Sequence, residues 1–200
     1  MRELIVNTFV TVDGVMQAPG GPEEDADGGF EHGGWSFGYW DELMQGIMGE
    51  SMSKPFDLVL GRKTYEIFAA FWPHSDDPGA DVLNKATKHV ASTTLKELEW
   101  ENSNLIEGEV PEGIQALKEG DGPELQVHGS AKLIQTLLEH GLIDEFRVWT
   151  FPLVLGKGKR LFDGGTVPDG LELTGSQASS SGVIIATYRS GADIKYGSFA

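Results

Sequence analysis

Asp57-Leu58-Val59-Leu60-Gly61-Arg62-Lys63-Thr64-Tyr65-Glu66 is the stretch whose reading decides the fold. Its apolar, β-branched centre predicts a buried strand, Gly61 permits a tight turn, and Tyr65, Ile67, Phe68 and Phe71 suit the inner side of a following helix. The first turn of such a helix carries unpaired backbone N–H groups and the positive end of the helix dipole. Arg62, Lys63 and the Thr64 hydroxyl add donors suited to phosphate. A small residue ahead of a helix former needs no ligand to explain it, so this motif alone leaves the anion site open. The chain, however, repeats the device. Leu125-Gln126-Val127 predicts a strand, His128-Gly129-Ser130 a turn, and Ala131 to His140 a helix with Leu133, Ile134, Leu137 and Leu138 on its apolar face. Ser130 is the expected N-cap of that helix, with Lys132 in its first turn. Two such units favour a pyrophosphate-bearing ligand. Neither has the Gly-x-Gly-x-x-Gly or the Walker spacing, which disfavours a standard Rossmann domain.

Composition narrows the classes. Two hundred residues suffice for one domain with a full core, spanning 1–200. A net charge of −16 repels nucleic acid and anionic membrane surfaces, so neither is an expected partner. The absence of cysteine removes disulfides, thiolate nucleophiles and Cys-ligated metals. The five histidines show no ligand spacing, and no Gly-x-Ser-x-Gly elbow occurs, which argues against metal or serine hydrolysis. No apolar run approaches the length of a membrane span, and the expectation is a cytoplasmic protein.

Outward from the opening motif, Leu4 to Val12 predicts a central strand closed by the Asp13-Gly14 turn. A Gly-, Asp-, Glu- and Pro-rich segment follows, and a flexible loop is expected over about 17–34, of the kind that forms lids and binding loops. Trp35-Ser36-Phe37-Gly38-Tyr39-Trp40 supplies either plain core or a stacking wall for a planar heterocycle. In the helix expected over Asp41 to Met52, Asp41 and Glu42 fall in the first turn, where capping explains them and a catalytic acid is the alternative. A short helix is expected within Asp81 to Lys88, a strand at His89-Val90-Ala91, and then the hydroxyls Ser92, Thr93 and Thr94. In a parallel sheet these would face the same crevice as Arg62. Asn104 to Ile106 predicts a weak strand, Pro111 to Glu119 a helix, and Glu145 to Phe151 a strand. Lys157, Lys159 and Arg160 form a solvated turn or a site for an anionic substrate group. Leu171 to Leu173 and Val183 to Tyr188 predict a closing antiparallel hairpin, with a loose tail over about 190–200.

The order of these signals resembles the dihydrofolate reductase superfamily, and within it the riboflavin-biosynthesis reductase branch, the RibD C-terminal domain family. The resemblance rests on Thr11-Val12-Asp13-Gly14-Val15-Met16, Leu60-Gly61-Arg62-Lys63-Thr64-Tyr65-Glu66, Val127-His128-Gly129-Ser130 and Pro152 to Phe162. Met16-Gln17-Ala18-Pro19-Gly20-Gly21 with Gly33-Gly34-Trp35 is similar to small bacterial stand-alone members. The resemblance implies an α/β, dihydrofolate reductase-like three-layer fold: a mostly parallel central sheet, helices on both faces and a C-terminal antiparallel hairpin. It implies NADPH as cofactor, held by Gly61, Arg62, Lys63 and Thr64, by Ser92 and Thr93 on the adenosine side, and by Gly129, Ser130 and Ala131, with Phe9 and Met16 flanking the nicotinamide. His128 would meet both cofactor and substrate. Asp13, Trp35, Trp40, Lys157, Lys159 and Arg160 are the substrate-side candidates, and Asp41 and Glu42 are nearest to the acid that assists proton delivery in folate reductases. The implied activity is hydride transfer to a small planar heterocyclic or carbonyl substrate, as in 5-amino-6-(5-phosphoribosylamino)uracil reductase, by a homodimer. The alternatives are a non-catalytic nucleotide-binding or interaction protein of the same fold and a folate reductase proper.

Overall fold

The computed structural model describes residues 1–163 and 166–199. In chain order the elements are β1 (Leu4–Thr11), α1 (Glu42–Met52), β2 (Phe56–Gly61), α2 (Arg62–Phe71), α3 (Ala80–Lys85), β3 (Lys88–Ala91) and β4 (Ser103–Leu105). They continue with α4 (Val110–Glu119), β5 (Glu124–His128), α5 (Ala131–Glu139), β6 (Glu145–Phe151), β7 (Gly170–Ala178) and β8 (Ile184–Ala192). One eight-stranded sheet takes the order β4-β3-β2-β5-β1-β6-β8-β7. The pairs from β4 to β6 are parallel, and β8 runs antiparallel to both β6 and β7.

Side-chain alternation on these strands builds three layers. On β2, Leu58 and Leu60 pack with Tyr65 of α2 and Leu83 of α3, while Val59 points the other way, into a cluster with Ile114 of α4 and Leu133, Ile134 and Leu137 of α5. On β6, Phe146 joins the α4 and α5 side, and Trp149 and Phe151 join Met44 of α1. Helices therefore cover both faces of the parallel part, and the fold is the dihydrofolate reductase-like arrangement. Carboxyl ends of β1, β2, β3 and β5 open along one edge of the sheet, the place where open α/β sheets hold ligands.

Several boundaries differ from the sequence expectation. α3 stops at Lys85, and Lys88 belongs to β3 with its side chain fully buried. Its ammonium donates to the carbonyls of Asn84 (2.6 Å) and Glu101 (3.0 Å) and lies 4.1 Å from the Trp100 ring. Burial pushes the pKa of that amine down to about 8. Phe71, expected on the inner side of α2, is exposed, because the helix gives way there to a short turn over Trp72–His74. The expected loose tail begins inside β8, which runs on to Ala192. Asp169 holds that end by accepting from the Ser190 hydroxyl and the Gly191 N–H. The hairpin is also longer than expected, with β7 exposed along nearly its whole length beyond the last helix-covered strand.

Candidate active site

The helix-starting motifs meet each other before they meet any ligand. Gly61 N–H donates to the Ser130 hydroxyl (3.0 Å), Ser130 N–H donates to the Thr64 hydroxyl (3.0 Å), and Ser130 Oγ–H donates to the His128 carbonyl (3.2 Å). Ser130 is thus not the side-chain N-cap expected of it. Its backbone is left-handed (φ 60°), and its hydroxyl is turned away from the α5 amides and onto the neighbouring loop. Neither α2 nor α5 has a side-chain cap, so the first-turn amides of both helices are left for another acceptor at the same end of the sheet. Arg62, Lys63 and Lys132 stand beside them. Arg62 lies 3.5 Å from Glu66 one turn along the helix. Ser92 and Thr93 border the same space, although Ser92 Oγ already accepts from Thr94 N–H (3.2 Å) and Leu95 N–H (3.0 Å). Uncapped amides, three cations and a Thr64 hydroxyl hydrogen with no acceptor among the described residues fit a polyanionic group such as a dinucleotide pyrophosphate.

This region continues into one cleft of about 1280 Å³, room for a dinucleotide together with a small second molecule. Its far half lies on the sheet face beneath α1. Phe9 packs against Trp149 with centroids 5.3 Å apart, and Ile47, Met48, Ser51 and Met52 of α1 form the opposite wall. Strand register then sets a polar row across four strands: His128 of β5 pairs with Asn7 of β1, Asn7 with Arg147 of β6, and Arg147 with Thr187 of β8. All four side chains border the cleft. The Arg147 guanidinium is anchored from below, Nε donating to Glu145 (2.8 Å) and Nη1 to Glu124 (3.2 Å). Burial works against its charge, and the two carboxylates outweigh that to raise its pKa. Gln126 Nε2 donates to Glu124 (2.6 Å), which turns Gln126 Oε1 toward Asn7 Nδ2 (3.2 Å) and His128 Nε2 (2.9 Å). The His128 hydrogen therefore sits on Nε2 and leaves Nδ1 as an acceptor. Burial first, and then the Arg147 charge, push the His128 pKa down to about 4, so the ring is neutral at pH 7.

The acidic loop is tied to the rest of the molecule at several points. Gln17 is buried; its Nε2 donates to the Asp25 and Asp27 carbonyls (both 3.0 Å), its Oε1 accepts from Lys159 N–H (3.0 Å), and its own carbonyl accepts from Trp35 Nε1 (2.7 Å). Lys159 Nζ bridges Asp25 (2.6 Å) and Asp27 (3.0 Å), and Asp27 also reaches Lys63 (3.3 Å). Burial works to lower the Lys159 pKa, but Asp25 and Asp27 raise it, so the bridge stays charged. Met16 borders the cleft at the start of this loop, as does Glu24, a carboxyl whose pKa burial raises.

Other candidates lie elsewhere. Asp41 caps α1, accepting from Met44 N–H (3.0 Å), and accepts from Ser180 N–H and Oγ–H (2.8 and 2.7 Å). These donors, Met44 first, lower its pKa, and neither Asp41 nor Glu42 borders the cleft. Trp35 is core, edge-on to Phe151 at 5.2 Å, and Trp40 backs Phe9 and Trp149 (both 5.8 Å) from outside the cleft. Asp13 accepts from Thr11 Oγ–H, from Gly156 N–H (2.8 Å) and from Leu155 N–H (3.2 Å), with Arg160 at 3.5 Å. It holds the loop after β6 against the turn after β1. Of the three loop cations only Lys159 borders the cleft; Lys157 and Arg160 do not. Backbone donors far along the chain, Leu155 and Gly156 for Asp13 and Ser180 for Asp41, take up these two carboxylates.

Asn7, Gln126, Arg147, Glu124 and Glu145 escaped the sequence reading, though a signal for them exists. Glu124-Leu-Gln126-Val-His128 and Glu145-Phe-Arg147-Val-Trp149 put polar groups on one face of strands central in a parallel sheet, where both faces are ordinarily apolar.

A parallel sheet with an antiparallel end, helices on both faces and one cleft across the strands' carboxyl ends defines a dihydrofolate reductase-like α/β protein. The chain belongs to the RibD C-terminal domain family, whose model matches residues 2–185. It is 29% identical over 197 residues to the uncharacterized protein YyaP of Bacillus subtilis, covering 94% of each chain. Among solved structures it is similar to a putative riboflavin biosynthesis protein from Shewanella, with a TM-score of 0.72 and 22% identity over 95% of this chain and 99% of that one. It is also similar to the dihydrofolate reductase of Enterococcus faecalis complexed with NADP(H), with a TM-score of 0.59 and 15% identity over 95% and 97%. At these identities the two structures attest the fold.

Proposed function

We propose that this protein is an NADPH-dependent reductase that passes hydride to a small planar substrate on the sheet floor. The observation that carries the reading is the single cleft joining two uncapped, cation-flanked helix starts to an aromatic-walled pocket. Membership of the RibD C-terminal domain family supports it, as does a fold shared with a reductase that holds NADP(H). When bound, the dinucleotide supplies the hydride; the chain supplies binding, orientation and exclusion of water. The α2 and α5 first-turn amides with Lys63 and Lys132 hold the pyrophosphate, Gly129 lets the backbone approach it with φ 56°, and Arg62 pairs with the 2′-phosphate. Phe9 and Met16 flank the nicotinamide, and Ile47, Met48 and Trp149 keep the transfer region dry. A folate reductase proper is the weaker reading, since the cleft side of α1 offers Ile47, Met48, Ser51 and Met52 and no carboxylate.

Calorimetric titration with NADPH and NADH tests this. NADPH is expected to bind more tightly, and Arg62→Ala to abolish the difference, a loss of about 1.5–3 kcal/mol or roughly tenfold to hundredfold in Kd. No heat with either nucleotide, from protein shown to be folded, would sink the reading.

A further inference from the structure

The substrate half of the cleft has a donor that no nucleotide contact uses. Arg147 reaches its floor from the middle of β6, and Glu145 and Glu124 take its Nε and Nη1. Its second terminal nitrogen has no hydrogen-bond partner among the described residues, although the side chain borders the cleft and is three-quarters buried. A guanidinium held at two of its nitrogens is a fixed donor, with little rotamer entropy left to lose when a ligand accepts from the third. Two residues along the strands, on the same face, Phe9 pairs with Trp149 and gives a flat aromatic side to the same space. The opposite wall, Ile47, Met48, Ser51 and Met52, is apolar apart from the Ser51 hydroxyl. The site is therefore a slot whose polar floor, Asn7, His128, Arg147 and Thr187, carries a single charged donor, Arg147.

Charge decides what can use the anchor. Arg147 and its two carboxylates sum to one negative charge, and the adjacent His128 ring is neutral, so a full anion gains little attraction at the floor. A neutral oxygen acceptor incurs no such repulsion and receives a charge-assisted hydrogen bond.

We propose that Arg147 is the specificity-determining residue of the substrate site, and that it selects uncharged planar ring compounds whose carbonyl oxygen is conjugated to the carbon that takes the hydride, of which a quinone is the simplest. This rests on the reductase reading above. Addition of hydride to such a ring moves a π pair onto the carbonyl oxygen, where the Arg147 Nη2 hydrogen meets the growing charge. A proton from solvent on that oxygen gives the keto–enol tautomer, and loss of one hydrogen as a proton from the reduced carbon with protonation of the second oxygen gives the hydroquinone, so a quinone takes up one hydride and one proton overall.

The test is equilibrium binding without turnover, read by quenching of tryptophan emission, since Trp149 borders the slot and Trp40 lies against it. Probes are 1,4-naphthoquinone, naphthalene as the ring without oxygen, and 2-naphthoate as an anionic ring. The chain has no thiol for the quinone to alkylate. The wild-type protein is expected to bind naphthoquinone at least tenfold more tightly than either other ring. Arg147→Lys, which keeps a cation between Glu124 and Glu145 but loses the fork, is expected to bind quinone and naphthalene alike. Near-equal binding of the three rings by the wild-type protein would overturn the proposal, and this comparison needs no variant to fold. Quinone preference surviving in folded Arg147→Lys would overturn it equally. Calorimetry with NADPH on the same samples reports the reductase reading separately: nucleotide binding intact with no ring preference condemns Arg147 alone.

Discussion

At Asp13 a carboxylate that the sequence offered as a substrate contact turns out to be a clasp. The Thr11 hydroxyl, and then the Gly156 and Leu155 amides, donate to its ionised form and outweigh the opposing effect of burial, so its pKa falls to about 2. A folded-state pKa below the ordinary value of 3.8 means that its stabilisation is present above about pH 3.8 and lost as pH falls toward 2. Part of the gain is screened by water, which leaves about 1 kcal/mol at neutral pH. Asp13→Asn should therefore be about 1 kcal/mol less stable than wild type in urea melts at pH 7, and the gap should narrow by pH 3. A gap unchanged between the two pH values would show that the carboxylate charge contributes nothing. The residue was legible as a turn former, from Asp13-Gly14, but not as a clasp: its partners Leu155 and Gly156 lie far along the chain and donate through the backbone, which has no residue signature.

The loop over about 17–34 makes the same point at the scale of an element. Its glycines, prolines and acids suggest a mobile lid, yet one buried amide, Gln17, bonds to three separate backbone sites and Lys159 adds two ion pairs. Every polar atom of the Gln17 side chain is used, so its removal strands buried donors and acceptors, each costing about 1–3 kcal/mol. Gln17→Ala should speed proteolytic cleavage within 19–34 at least tenfold and also lower the global urea midpoint, because Ala18 and Phe30 of this loop are buried in the cluster that holds Met44 of α1 and Phe151 of β6. A cleavage rate equal to wild type would show that the loop is held by something else. Elements with a repeating pattern were read correctly: the β2–α2 and β5–α5 units follow from periodicity and from Gly61, Gly129 and Gly141. Boundaries fixed by tertiary contact were not. Lys88 enters β3 because Trp100 and two carbonyls receive its ammonium, and β8 outlasts its predicted end because Asp169 ties down Ser190 and Gly191.

Over the whole molecule, the dinucleotide of the proposed function would bring a polyanion to a protein of net charge −16. The local cations do not reverse that field. Around the cleft stand six acids, Glu24, Asp25, Asp27, Glu66, Glu109 and Glu112, against five cations, Arg62, Lys63, Lys132, Arg147 and Lys159. Asp27, whose carboxylate Lys159 and then Lys63 keep ionised, occupies the lysine expected to meet the pyrophosphate. Contacts formed after docking are short and partly dehydrated, so salt weakens them little; the approach runs through open solvent, where screening acts fully. Its range falls from about 30 Å at 0.01 M salt to about 8 Å at 0.15 M. The two stages should therefore respond to different degrees. The association rate constant of NADPH, followed by stopped-flow quenching of tryptophan emission, should rise severalfold between these salt concentrations, while the dissociation rate constant rises less. Asp27→Asn frees Lys63 and removes one repelling charge at the mouth, so its association should be faster at low salt and less dependent on salt. An association rate that falls as salt is added would mean that the basic groups on α2 and α5 outweigh the field of the whole chain, and that the acidic surface has no part in nucleotide capture.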